Sequence, residues 1–335
     1  MHNTAIGMCL LIVAGIMNAS FSLPMKFVRS WVWENTWLLW SLFALLVLPP
    51  VLAFSTIPHF GGVLSGAADV AAMVALFGAA WGVAQVLFGL ALERIGIALT
   101  FSIVLGLSAA MGALIPLVSQ HRERLFTRGG IISLVGIALV LAGVITSAIA
   151  GKIRDRAQHS EAKDQAHFGS GLLMAIIAGV CASMMNVGFA YGTPLVQAAL
   201  AHGASSKWTT DAVWVPLLAG GALPNIVYCL YLLRKNKTSS NFSTHGAARN
   251  IGLALTMAVL WFGSSILYGI ATLLLGELGP VVGWPLFMSL IVIMASLLGI
   301  LTGEWKNAGR HALRVQGFAV LVLVIAVVVL SRATL

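Results

Sequence analysis

Charge is scarce in this chain. Its 335 residues include nineteen Lys or Arg and ten Asp or Glu, together 9% of the total. A soluble domain carries about a quarter charged residues. A water-facing surface of ordinary size is therefore excluded. Cysteine is scarcer still in number. Cys9, Cys181 and Cys229 all lie in apolar stretches, without metal-ligand spacing to one another or to a His. That argues against a disulfide framework or a thiolate metal site and for small buried apolar residues. No Gly-x-x-x-x-Gly-Lys-Ser/Thr loop is present, so the chain does not drive transport by hydrolysing ATP itself. Neither His-Glu-x-x-His nor Gly-x-Ser-x-Gly occurs, and no enzyme, catalytic residue, metal or cofactor is expected. The formal charge of +9 lacks a basic stretch interleaved with aromatics, so nucleic acid is not an expected partner.

Apolar residues are abundant, at 59%. They form ten stretches near residues 4–24, 36–56, 68–91, 96–118, 129–149, 169–191, 209–233, 250–275, 281–301 and 313–331. Each is close to the ~20 apolar residues that match a hydrocarbon core. The expected class is an all-α integral membrane protein with ten transmembrane helices and the lipid bilayer as its surroundings. The first stretch has no basic segment before it and no small-residue cleavage site after it, so it reads as a span rather than a signal peptide. Most Lys and Arg, among them Lys26, Arg29, Arg94, Arg234 and Lys235, fall in loops after odd spans. Loops after even spans carry only Arg122, Arg124, Arg128 and Lys207. The positive-inside rule then places the odd loops in the cytoplasm and both termini outside.

The chain divides in two. Residues 151–168 form a charged linker, read as cytoplasmic, between a first unit at 1–150 and a second at 169–335. Trp81, Leu87, Gly89 and Gly96 recur at the same intervals as Trp261, Leu267, Gly269 and Gly276. Ala14-Gly15 with Asn18 is echoed by Ala178-Gly179 with Asn186. Five spans is an odd number, so two sequential repeats must enter the membrane from opposite sides. This five-plus-five inverted repeat is an architecture by which secondary transporters alternate access to a midplane site.

Polar side chains inside a membrane usually face a cavity or bond across helices. The candidate substrate-binding residues are Asn18, Ser22, Trp81, Gln85, Ser183, Asn186, Trp261, Ser265, Tyr268 and Trp284. Trp81 and Gln85 share a helix face, as do Trp261 and Ser265. Indole faces beside amides and hydroxyls suit a sugar, whose ring stacks while its hydroxyls find donors and acceptors. Any one Ser can instead bond to its own helix. The cluster Trp31, Trp33, Trp37 and Trp40 reads first as an interfacial aromatic belt and second as a binding wall. Gly78 and Gly82 make a small-xxx-small packing contact. Carboxylates lie near span ends, and the proton-coupling candidates are Asp211, Asp69 and Glu277.

Four segments carry a family resemblance. Gly303-Glu304-Trp305-Lys306-Asn307-Ala308-Gly309-Arg310 is the most specific. The others are Pro24-Met25-Lys26 with Trp31-x-Trp33-Glu34-x-x-Trp37, Trp81-Gly82 leading to Gly89-Leu90 and Gly96, and Ala219-Gly220-Gly221-Ala222 with Asn225. Together these resemble the L-rhamnose–proton symporter family, a ten-span branch of the drug/metabolite transporter superfamily. The resemblance implies a central sugar site, uptake of L-rhamnose or a related 6-deoxysugar with H⁺, and a bacterial inner membrane. It leaves monomer and homodimer open. The Glu304–Arg310 run is expected to be structural. The alternative is a carrier or exporter of another small metabolite.

Overall fold

A computed structural model describes residues 2–157, 168–303 and 305–333, and every regular element among them is helical. Ten candidate spans are long and apolar enough to cross a membrane. Most are single helices: α1 (His2–Ser20), α5 (Ala68–Ile95), α6 (Ile97–Gln120), α7 (Arg128–Ala157), α10 (Asp211–Asn236), α11 (Ala247–Leu275), α12 (Gly279–Leu301) and α13 (Gly309–Ser331). The second span is broken into α2 (Trp33–Ser41), a π-helical stretch at Leu42–Val47, and α3 (Leu48–Thr56). Pro49 and Pro50 lack the N–H groups that would bond the carbonyls of Leu45 and Leu46. The ladder widens there, and Leu48 N–H reaches back five residues to Phe43 O. α4 (Phe60–Gly66) is a short connector. The sixth span is α8 (Phe168–Tyr191), continued past a break at Gly192 by α9 (Thr193–Ala201). Pro194 strips Ala190 O of its helical donor, and the Thr193 hydroxyl replaces it at 2.8 Å.

The expected linker at 151–168 is described only at its two ends. α7 continues as helix through residues 151–157, while 158–167 and Glu304 lie outside the described residues. α5 packs on α8 and α10, and α8 also packs on α6. α6 touches α7 and α12, α1 touches α11 and α12, α11 touches α2, and α7 touches α13. The α5–α10 seam is closest. A Cβ on Gly78 would overlap Leu217 O, and one on Gly82 would overlap Gly221 O, so helix backbones meet directly there. Val51, Phe54, Leu76, Leu223 and Phe318 stand exposed on the outside of the bundle. Water would penalise such a surface, and lipid accepts it.

The Trp305 run packs at the end of α7, where the Arg154 guanidinium lies 5.1 Å from the Trp305 ring centre. Ala150, Ala308 and Ala312 pack with Trp305. This loop braces two helices and stands apart from the inner aromatic groups described next.

Candidate functional site

Trp33, Trp37 and Trp40 are spaced four and three apart, which puts them on one face of α2. Trp33 stacks on Trp37 at 5.2 Å, and Trp37 lies 4.4 Å from Trp40. Trp40 meets Trp261 edge-on at 5.3 Å, and Trp261 stacks on Trp81 at 5.5 Å with planes 25° apart. The column runs inward from the membrane edge into the bundle. The expectation of an interfacial belt is therefore corrected. Trp33 is 37% exposed, but Trp31 is buried and Trp40 is 1% exposed. The reason is the face the three residues share: it turns toward α10 and α11, not toward lipid headgroups.

Polar groups flank the column. Trp37 Nε1–H donates to Asn225 Oδ1 at 3.0 Å, and Asn225 Nδ2 donates to Gly221 O at 2.9 Å. Gly221 lies under the Trp81 ring, where a Cβ would sit 2.6 Å from a ring carbon. Asn18 Nδ2 donates to Ser264 Oγ at 2.9 Å, and Ser264 in turn donates to Trp261 O. Trp40 Nε1 and Ser41 Oγ are buried without a hydrogen-bond partner among the described residues. Ser41 immediately precedes the π-helical break. Two unbonded buried polar atoms thus lie beside indole rings that stack on one another.

A second cluster is knotted around Asn186, which is fully buried in α8. Pro116 removes the donor that Gly112 O in α6 would normally receive. Asn186 Nδ2 fills that place at 2.8 Å and also donates to Pro280 O at 2.9 Å. Tyr268 O–H donates to Asn186 Oδ1. One amide thus joins α6, α8, α11 and α12. Trp284 Nε1–H donates to Ser108 O at 2.9 Å, and Phe189, Trp214 and Phe287 surround the Tyr268 ring.

A third group lies at the start of α10. Asp211 is 1% exposed. Thr56 O–H divides its one proton between Asp211 Oδ2 and Leu52 O, each at 2.9 Å, while Asp211 Oδ1 has no partner among the described residues. Thr210 Oγ1 and Trp214 Nε1 are buried and unpartnered in the same way. Both face Gly269 of α11, where a Cβ would stand 2.6 Å from Thr210 Oγ1 and 3.1 Å from Trp214 Nε1.

The structure separates the expected residues. Asn18, Trp81 and Trp261 join the first cluster, and Asn186, Tyr268 and Trp284 the second. Gln85 is half-buried one turn beyond Trp81, with no hydrogen bond among the described residues. Ser183 and Ser265 donate to Val180 O and Trp261 O of their own helices. Ser22 is exposed beside the turn at Leu23–Phe27 and joins no cluster. Of the three carboxylates, Asp69 and Glu277 are exposed, and Glu277 pairs with Arg124 at 2.6 Å. His121 and Glu123 lie beside that pair. Only Asp211 is buried. Trp40, Ser41, Thr210 and Trp214 were missing from the expected set. The i, i+4, i+7 spacing of the α2 tryptophans is the signal that could have found Trp40.

A family model described as L-rhamnose-proton symport protein matches residues 1–334. The chain belongs to that family. Among its relatives is an L-rhamnose-proton symporter of Salmonella paratyphi A, 28% identical over 317 residues, covering 92% of each chain. A symporter of the same name from Citrobacter koseri is 28% identical over 316 residues, again covering 92% of both. One from Klebsiella pneumoniae is 27% identical over 333 residues, covering 97% of this chain and 96% of the relative. This member of the L-rhamnose-proton symport family is accordingly a multi-pass membrane protein of a transporter family, not an enzyme.

Proposed function

We propose that this chain carries L-rhamnose or a related 6-deoxysugar, together with a proton, into a bacterial cell across the inner membrane. The observation that carries the reading is the family match along residues 1–334, joined by relatives named L-rhamnose-proton symporters over nearly their whole length. The sugar site of this reading is the box formed by Trp40, Trp81 and Trp261, with Asn18, Ser41, Ser264 and Gln85 at its edges. The pyranose stacks on Trp81 and Trp261 when those two rings, which cover one another in this structure, part to admit it. Trp40 Nε1–H and Ser41 Oγ bond its hydroxyls. Ser22, exposed at the turn after α1, and Ser183 and Ser265, each bonded to its own helix, stand outside the box, and Asn186, Tyr268 and Trp284 hold the helices that frame it. Asp211 carries the proton, with Thr210 and Trp214 beside it. Asp69 and Glu277, both exposed, remain outside the pathway.

Alternating access by an inverted repeat, 1–150 against 169–335, belongs to the same reading, as does placement in the drug/metabolite transporter superfamily. The packing supports it. Exchange α1 with α8, α2–α3 with α10, α5 with α11, α6 with α12, and α7 with α13. The α5–α8 contact then becomes α11–α1, α6–α8 becomes α12–α1, and α5–α10 becomes α11–α2. The α6–α7 contact becomes α12–α13, while α6–α12, α7–α13 and α2–α10 map onto themselves. Each of these partnerships has its counterpart. The charge distribution supports outward-facing termini.

The test is uptake of radiolabelled L-rhamnose into proteoliposomes, with and without an imposed inward proton gradient. Accumulation above the external concentration only with the gradient is expected. Equilibration without accumulation would refute proton coupling, and no uptake at all would refute the sugar.

A further inference from the structure

Glu34 was not among the expected site residues, yet it is only 4% exposed. It occupies the first turn of α2, as Asp211 occupies the first turn of α10. The two acids open matching segments, Glu34-x-x-Trp37 and Asp211-x-x-Trp214. α2–α3 and α10 lie against one another in opposite directions. Glu34 meets the C-terminal end of α10, Trp37 meets Asn225 in its middle, and Thr56 meets Asp211 at its start. Glu34 Oε1 accepts from Asn236 Nδ2 and from Thr238 Oγ1, both at 2.9 Å. Asp211 Oδ2 accepts from Thr56 Oγ1 at the same distance. In each case an acid at one helix start grips a hydroxyl at or just past the other helix's end.

We propose that Glu34 and Asp211 are reciprocal latches between the second and seventh spans, each holding one membrane face of the transport pathway shut. The proposal rests on the transport reading above and adds a positioning residue, Glu34, to it. A bond between a carboxylate and a hydroxyl across two helix ends is lost as soon as those ends separate. The opposite latch, a bundle's length away, is untouched by that motion. Opening one end while the other stays bonded is what alternating access demands.

The two latches differ in strength. At the Glu34 end, Lys237 adopts a left-handed conformation (φ 56°) that turns Thr238 back toward α2. Asn35 Nδ2 donates to Thr238 O at 3.0 Å, and Trp31 Nε1–H donates to Asn241 O at 2.8 Å. At the Asp211 end the Thr56 bond stands beside the unpartnered Oδ1. The Asp211 end therefore opens first. Under the charge-derived orientation that is the outer face, the side from which an uptake carrier loads.

Two buried positions report the two ends. Cys229 is fully buried beside Leu38 and Leu233, next to the Glu34 latch. Ala53 is fully buried in α3, one turn before Thr56. The full-length chain with Cys9→Ser and Cys181→Ser is reacted with N-ethylmaleimide in liposomes. A second version adds Cys229→Ser and Ala53→Cys. Removing one hydrogen bond to a charged group should raise local opening, and so labelling, about tenfold. Glu34→Gln and the milder Thr238→Val should accelerate labelling at position 229 and not at 53. Asp211→Asn and Thr56→Val should do the reverse. Equal acceleration at both positions, or none at either, overturns the latches and leaves the bonds as ordinary staples. No sugar is needed, so failure to transport L-rhamnose would sink the transport reading without disturbing this result.

Discussion

The Asn186 knot makes a quantitative prediction that begins with a missing atom. Pro116 has no N–H, so Gly112 O would be orphaned inside the bundle if Asn186 did not reach it. Asn186→Ala removes that donor and also strands the Tyr268 hydroxyl, while Pro280 O, at the start of α12, loses only a second bond because Trp284 N–H lies four residues on. Each stranded buried group costs about 1–3 kcal/mol, and partial relaxation brings the whole to about 3–5 kcal/mol. Tyr268→Phe deletes only one bond, at a cost of about 1–2 kcal/mol. Pro116→Ala changes the account, because an alanine there supplies the N–H that Gly112 O lacks. In that background Asn186→Ala should cost less by about 1–2 kcal/mol, the value of the carbonyl no longer stranded. The assay is a double-mutant cycle on unfolding free energy in detergent micelles, read by tryptophan fluorescence. Additivity within about 0.5 kcal/mol would refute the reasoning, since it would mean that the amide does not repair the proline gap.

Three further outcomes are expected. Trp81→Ala should weaken L-rhamnose binding about tenfold or more, with Trp81→Phe retaining most of the stacking, as measured by calorimetry on purified protein; unchanged affinity would move the sugar elsewhere. Asp211→Asn should abolish gradient-driven accumulation while leaving exchange of internal for external sugar intact, and persistent accumulation would assign the proton to another group. Gly78→Leu should abolish monodisperse protein on size-exclusion chromatography because Leu217 O occupies that space, whereas Gly61→Ala, with nothing within 4 Å, should elute as the parent.

The spans were legible because crossing a bilayer demands only length and apolarity, both local properties. What lay hidden was depth. Glu34 and Asp211 stand near span ends by sequence, where a carboxylate is ordinarily hydrated. Burial there depends on what folds over the end. At Asp211 the short helices α4 and α9 pack on one another and on α10. At Glu34 the turn at Ser239–Ser243 packs against α2. α4 and the turn at Ser239–Ser243 are too short for a hydropathy window to weigh, and α9 counts there only as the tail of the sixth span, so the sequence marks the acids as loop-edge groups while the fold encloses them. The tryptophans mislead for the same reason. Clustering at a span edge suggests a belt, but their spacing of four and three turns one face inward, and periodicity is the better guide where it conflicts with position. Asn18, Trp81 and Trp261 stand out in the sequence because a polar or aromatic group deep in an apolar run usually bonds or packs across helices. Asn186 stands out for the same reason, but its bonds do not. Only the three-dimensional neighbourhood reveals that a proline one helix away had emptied the bond that this amide fills.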